Sequence, residues 1–161
     1  MTVREGHVDE RDLEILEVLE ADARIPWRQL AQKLGVSEAT VYLRVRKLQE
    51  LGVIKGYTVK LDMDRLGIKA RAIVRIKTVP GMAGRVVESL LDRPQVIEAY
   101  EVTGSHNLIA FLAAPSLEEA AKAIDEISSL EGVSDVETIF VLRVVKERQG
   151  VVRIAKLAKR E

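Results

Sequence analysis

At 161 residues, with 25 basic and 25 acidic side chains that cancel, the chain holds one average domain or two small ones and exerts no net pull on polyanions. It has no cysteine, which excludes disulfides, zinc ribbons and thiol chemistry, and only two histidines, which excludes a multi-histidine metal cluster. No apolar run is long enough to span a membrane and no signal peptide opens the sequence, so a soluble cytoplasmic protein with no membrane partner, metal or cofactor is expected.

The charge is unevenly spread. Residues 1–23 set Arg4 and Arg11 against eight acids, a net of −6, whereas residues 24–60 set eight bases against Glu38 and Glu50, a net of +6. A basic patch in a neutral protein suits electrostatic capture of DNA, because only nearby phosphates act on it through salt.

In chain order, Met1 to Val8 reads as a frayed end. Asp9 is placed to cap a helix, with Asp12 three residues on in the acidic position of a capping box. Leu13, Ile15, Leu16, Val18 and Leu19 then give an apolar face too broad for a lone surface helix, so a three-helix core is expected. Glu14, Glu17 and Glu20 read as a solvated face turned away from DNA. Pro26 suits the first turn of the next helix, Trp27 packs over a domain edge, and Leu30, Ala31 and Leu34 recur at helical spacing up to Gly35. Val36 plugs the corner. Ser37 caps a third helix, Glu38 to Glu50.

Steps of about 100° along that helix put Val41, Val45 and Leu48 on a buried stripe. The far side carries Ala39, Leu43, Arg46 and Lys47, with Thr40, Tyr42 and Arg44 on its flanks. Bases mixed with hydroxyl and methyl groups suit a DNA major groove, where Arg and Lys reach phosphate or guanine and methyl groups touch thymine. An ordinary charged helix with one stray leucine is the alternative. The β-branched run that turns at Gly52 and reaches Tyr57 favours DNA, because it reads as a wing beside a recognition helix. The candidate DNA-binding residues are Ser37, Glu38, Ala39, Thr40, Tyr42, Leu43, Arg44, Arg46, Lys47 and Lys55.

Thr58 to Lys69 begins as an alternating strand and ends in a turn at Gly67, an ordered linker suited to pairing with another chain. Beyond it, strands are predicted over Ala70–Thr78, Val96–Thr103, Leu108–Ala113 and Val133–Val145. Helices are predicted over Met82–Asp92, with Val86, Val87, Leu90 and Leu91 on one side, and after Ser116, with Ala120, Ala123, Ile124 and Ile127 inward. The order strand, helix, strand, strand, helix, strand is a ferredoxin-like βαββαβ arrangement, so the chain is α+β. The divisions expected are 1–57 for DNA binding, 58–69 as linker, 70–149 as the ferredoxin-like domain and 150–161 as a basic tail, either an amphipathic helix or an added strand. Two helices cover one sheet face only, and the strands are apolar on both sides in places, which calls for a second subunit.

Several of these residues carry a resemblance to the Lrp/AsnC family, the leucine-responsive or feast/famine transcription regulators. They are Asp9, Asp12, Ile15 and Leu16; Leu30-Ala31 through Gly35-Val36-Ser37; Thr40-Val41, Arg44-Val45 and Leu48; and Gly52 through Tyr57. The resemblance runs from about Val8 to Lys146. It implies an N-terminal winged helix-turn-helix and a C-terminal ferredoxin-like domain, termed RAM-type, that dimerises and binds an amino-acid effector, with dimers commonly assembling into octamers. In the family the middle strands are joined by Gly, any residue, an aromatic and Asp, which help line the amino-acid site; here the loop reads Gly104, Ser105, His106, Asn107. The resemblance thus marks Thr103, Gly104, Ser105, His106, Asn107 and Thr138 as the effector site, with the amide oxygen of Asn107 standing where the acid would receive an ammonium group. It implies a sequence-specific regulator that binds double-stranded promoter DNA.

Two other classes fit less well. An enzyme would need a nucleophile and base aimed at each other, and the consecutive Ser105, His106 and Asn107 are not a spatial triad. A stand-alone metabolite-binding protein or an RNA platform would share the topology, but Phe111, Phe140 and Tyr100 lack the glycine-flanked aromatic pattern of RNA-binding strands, and Phe111 is expected in the core.

Overall fold

A computed structural model describes residues 7–146 and 150–158; the expected frayed start over residues 1–6 and the tail bases Lys159 and Arg160 lie outside the described residues. The chain divides into two compact units, Met1–Val59 with Lys146–Glu161, and Lys60–Val145.

The first unit holds α1 (Glu10–Ala21), α2 (Trp27–Leu34) and α3 (Glu38–Glu50). Asp9 caps α1 through a full capping box: its Oδ1 accepts the Asp12 N–H at 2.8 Å while Asp12 Oδ2 accepts the Asp9 N–H at 3.0 Å. Pro26, with ψ 138°, is the cap of α2 and not its first residue, so the helix starts one position later than expected. Gly35 closes α2 at φ 65°, a left-handed turn that side chains resist, and Ser37 Oγ accepts the Thr40 N–H at 3.1 Å to open α3. Ile15, Leu19, Leu30, Ala31, Val41 and Val45 form the common core, the three-helix packing that the apolar stripes call for.

The run after Gly52 does not form the strand expected there. After Gly52, at φ 70°, the Val53 and Ile54 N–H groups both donate to the Leu48 carbonyl, at 2.9 and 3.1 Å, and residues 55–62 form no strand. A strand needs a ladder partner for its backbone groups, and β-branched composition alone cannot supply one.

The second unit is a four-stranded antiparallel sheet in the order β2-β3-β1-β4, built from β1 (Ala70–Thr78), β2 (Val96–Glu101), β3 (Leu108–Ala114) and β4 (Val133–Phe140). Helices α4 (Ala83–Leu91) and α5 (Leu117–Ser128) complete the ferredoxin-like topology. Ala72, Val74 and Ile76 of β1 and Leu108, Ala110 and Leu112 of β3 meet Val86, Leu90, Ala123 and Ile127 of the helices. On the other face Ile97, Tyr100 and Ile139 are exposed, and Phe111 lies edge-on to Tyr100 at 6.0 Å instead of entering the core. Phe111 occupies an odd position on β3, so the pleat turns it away from the helices. Strand β4 stops at Phe140, not Val145, because its partner β1 begins at Ala70 and the last ladder bond runs from Val141 N–H to the Arg71 carbonyl. The tail forms a helix, α6 (Val151–Ala158), which belongs to the first unit.

What fixes α3 against α1 is a buried charge. Asp12 is fully buried, an environment that raises the pKa of a carboxyl, and three partners more than offset this: Lys47 Nζ at 2.9 Å, the Asp9 N–H and Arg44 Nη1 at 2.8 Å. Arg44 also grips both oxygens of Asp9, at 2.9 and 2.7 Å, and this with the Asp12 N–H holds the Asp9 carboxyl below the ordinary range. Both acids are therefore more acidic folded than unfolded. Their contribution to stability is complete above the ordinary Asp pKa of about 4 and is lost as pH falls from there toward the folded values. Replacing Asp12 with Ala takes the buried carboxylate from two cations, leaving Arg44 with Asp9 and Lys47 with the His7 carbonyl and partial access to water, so a loss of about 2 kcal/mol is expected. The chain's only tryptophan, Trp27, lies in this unit, so urea unfolding followed by its fluorescence measures that loss and the acid slope, which Asp12→Asn should flatten.

Candidate recognition surface and effector loop

Helix α3 shows three faces. Val41, Val45 and Leu48 are buried, Arg44 and Lys47 reach back to the start of α1, and Ala39, Tyr42, Leu43 and Arg46 stand open, with Tyr42 52% and Leu43 62% exposed. The open face is the one expected to meet DNA. Arg44 and Lys47 are not on it, because Asp9 and Asp12 draw their charge across to α1. Arg46 lies along the helix surface with Nε 3.0 Å from Glu50 Oε1, an exposed, solvent-screened pair that contributes little and that a phosphate can readily displace. Ser37 and Thr40 bond to each other at 2.7 Å within the helix cap, Glu38 is exposed in the first turn, and Lys55 is exposed beyond the turn at Gly52.

Beside this face a cleft of about 310 Å³ brings Arg24, Trp27 and Tyr57 up to Tyr42, Arg46 and Gln49. Sequence reasoning missed Arg24 and Gln49 as neighbours of the recognition face. Arg24 precedes α2, so no periodicity along α3 links it to that face.

In the second unit, Gly104 has φ +128°, and a Cβ built there meets nothing within 4 Å. Its need for glycine is conformational, and the space beside it is open. Thr103 and Ser105 are exposed. His106 is held from both sides, Nδ1 lying 3.2 Å from Ser105 Oγ and Nε2 3.1 Å from Asp135 Oδ2. Asn107, the chain's only asparagine, is committed to the fold: its Oδ1 accepts the Thr78 N–H at 2.9 Å and its Nδ2 donates to Thr78 Oγ1 at 2.8 Å. That bond occupies the amide oxygen expected to receive an ammonium group. Thr138 stands opposite Val74, whereas Asp135 stands opposite Lys77, so Thr138 is three residues, roughly 10 Å, along β4 from the residue that reaches the loop. Thr78 and Asp135 are the loop neighbours that sequence reasoning missed; only the strand register brings them in.

Comparison with known proteins agrees with this geometry. The family model described as winged helix-turn-helix DNA-binding matches residues 8–55, and the model described as Lrp/AsnC ligand binding domain matches residues 71–151. The HTH-type transcriptional regulator FL11 of Pyrococcus furiosus is 33% identical over 142 residues, covering 88% of this chain and 94% of its own length. The HTH-type transcriptional regulator LrpA of Pyrococcus horikoshii is 37% identical over 140 residues, covering 86% and 99% respectively. Among solved structures, E. coli AsnC superposes with a TM-score of 0.84 at 26% identity, covering 89% of this chain and 98% of that one. With a DNA-binding unit that fits the first model, a ferredoxin-like unit that fits the second and relatives matched along nearly their whole length, the chain belongs to the Lrp/AsnC family.

Proposed function

We propose that the chain is a sequence-specific transcription regulator that reads double-stranded promoter DNA with the open face of α3, without enzymatic activity, in the cytoplasm. The observation that carries this reading is the division of labour on α3. Two cations are committed to holding the helix, and Ala39, Tyr42, Leu43 and Arg46 are left standing outward on a unit of the winged helix-turn-helix type. A mixed face of that kind supplies an apolar contact for thymine methyls and one charge for phosphate or guanine.

The C-terminal unit dimerises through its uncovered sheet face, where Ile97, Tyr100 and Ile139 are exposed, and dimers join into a higher ring such as an octamer. Two-fold pairing sets two copies of α3 about one DNA turn or a multiple of it apart, so a roughly palindromic operator is expected. An amino-acid effector binds beside Gly104, Ser105 and His106, with Asp135 as the available carboxylate for its ammonium group and Asn107 as scaffold. Membership of a family whose second model is a ligand-binding domain supports this part of the reading. Among the described residues no helix is long and apolar enough to cross a membrane.

Replacing Arg46 with Ala should weaken operator binding in a gel shift and lower the salt slope by about 1, with the oligomer unchanged. Lys47→Ala should leave that slope alone and instead lower the unfolding midpoint of the first unit. An unaltered slope in Arg46→Ala, or a lowered one in Lys47→Ala, would reverse the assignment.

For the loop, Gly104→Val strains a backbone at φ +128°. It should abolish the heat of binding for whichever of the twenty amino acids the wild type binds in calorimetry, and leave DNA affinity without amino acid within about twofold. Equal loss of both would assign Gly104 to the fold and not to the effector.

A further inference from the structure

Helix α6 takes no part in the function proposed above, yet it is specifically seated. It lies on α1, and its contacts fall on acids that sequence alone reads as a solvated face. The Glu20 carboxylate acts as the cap of α6: Oε1 accepts the Val151 N–H at 2.7 Å and Oε2 accepts the Val152 N–H at 3.3 Å. Three residues earlier, Glu17 Oε2 accepts a hydrogen bond from Lys156 Nζ, and its Oε1 lies 3.9 Å from Arg153 Nε. Beside these polar contacts, Val152 and Ala155 share an apolar groove with Leu16 and Leu19 of α1. Charge, capping and apolar surface therefore all match across one short interface.

The same interface is weak enough to open. An eight-residue helix is marginal on its own, so its docking contacts contribute most of what keeps α6 helical. Ile154 and Leu157 remain 68% and 62% exposed, so little apolar area is buried, and elements of this kind open at low free energy. The position in the chain gives docking a consequence. The backbone leaves the first unit after Val59 and re-enters it at Lys146, so a seated α6 gives the chain a second, non-covalently held attachment to the first unit in addition to the linker.

We propose that α6 is a latch. Docked on Glu17 and Glu20 of its own chain, it limits the independent motion of the DNA-binding unit, lowers the ordering cost of placing two such units on one operator, and thereby raises DNA affinity. Only the affinity consequence rests on the function proposed above; docking has its own readout.

The test is a charge swap in the full chain: Glu17→Lys, Lys156→Glu and the double variant, read by hydrogen exchange of the α6 amides and by operator affinity. Each single variant should speed α6 exchange by roughly threefold to tenfold and the double variant should restore protection. Both singles should also bind operator several-fold more weakly, and the double should recover. A pure effect of net charge predicts something different, with Glu17→Lys binding more tightly and Lys156→Glu more weakly, and that outcome would overturn the latch. Unchanged exchange in the single variants would overturn it as well. Mixing Glu17→Lys subunits with Lys156→Glu subunits in one assembly separates the occupants, since recovery of protection on mixing means that α6 docks on the partner copy and refutes docking within one chain. If the wild type fails to select operator while the exchange pattern holds, the latch docks as proposed and the regulatory reading is what fails.

Discussion

One buried carboxylate governs the recognition surface. Asp12 has no exposed area, and a bare charge there would be very costly, so its two cations are required by burial itself. Both come from α3, one turn apart, and both bind from the same side. The stripe of Val41, Val45 and Leu48 holds α3 against the core, but apolar packing has no direction and permits a small roll about the helix axis. Charge-assisted hydrogen bonds do have direction, and a rotation of α3 would break them. Asp12 thus determines which residues of α3 face outward, although it lies on another helix and touches none of them.

That coupling also explains where sequence reasoning succeeded on this surface and where it did not. The boundaries of α3, its Ser37 cap and its buried valines follow from local rules, because capping and 3.6-residue periodicity act within a few residues. The roles of Arg44 and Lys47 do not. On a helical wheel they share the basic side with Arg46, and only the placement of the first turn of α1 against the second half of α3 separates a structural cation from an outward one. The same limit applies to the wing. Val53 and Ile54 have strand composition, yet strand formation depends on a partner outside the local sequence, and here both N–H groups turn onto Leu48.

In the C-terminal unit the order of elements was legible throughout, whereas the neighbours of the loop were not. Strand register brings Asp135 to His106 and Thr78 to Asn107 from 29 residues away in each case. Asn107 illustrates what a single substitution in a family pattern does. An amide both accepts from the Thr78 N–H and donates to Thr78 Oγ1, whereas a carboxylate in its place has no proton to donate. The loop therefore gains a neutral brace between β1 and β3, and the nearby negative charge moves to Asp135 on β4. On the proposed reading an ammonium group entering beside Gly104 meets that charge from a different strand than the usual acid position, and the departure from the family pattern then shifts the negative charge of the loop region without removing it.

The opposed charges of the first sixty residues resolve in the same way. In sequence they are a block of −6 followed by a block of +6, which suggests two fields side by side. In the fold four of the eight acids of the first block fall into two sets, with Asp9 and Asp12 gripping Arg44 and Lys47 of α3, and Glu17 and Glu20 gripping α6. Asp9, Asp12 and Glu17 meet cations at short range, and paired charges contribute little to the potential a Debye length away. Arg28, Lys33, Arg46 and Lys55 remain exposed on α2, on α3 and beyond it. On the proposed reading the positive surface left for DNA is what remains after these pairings, and the acidic helix favours DNA binding by orienting α3 and by having part of its own charge paired at close range.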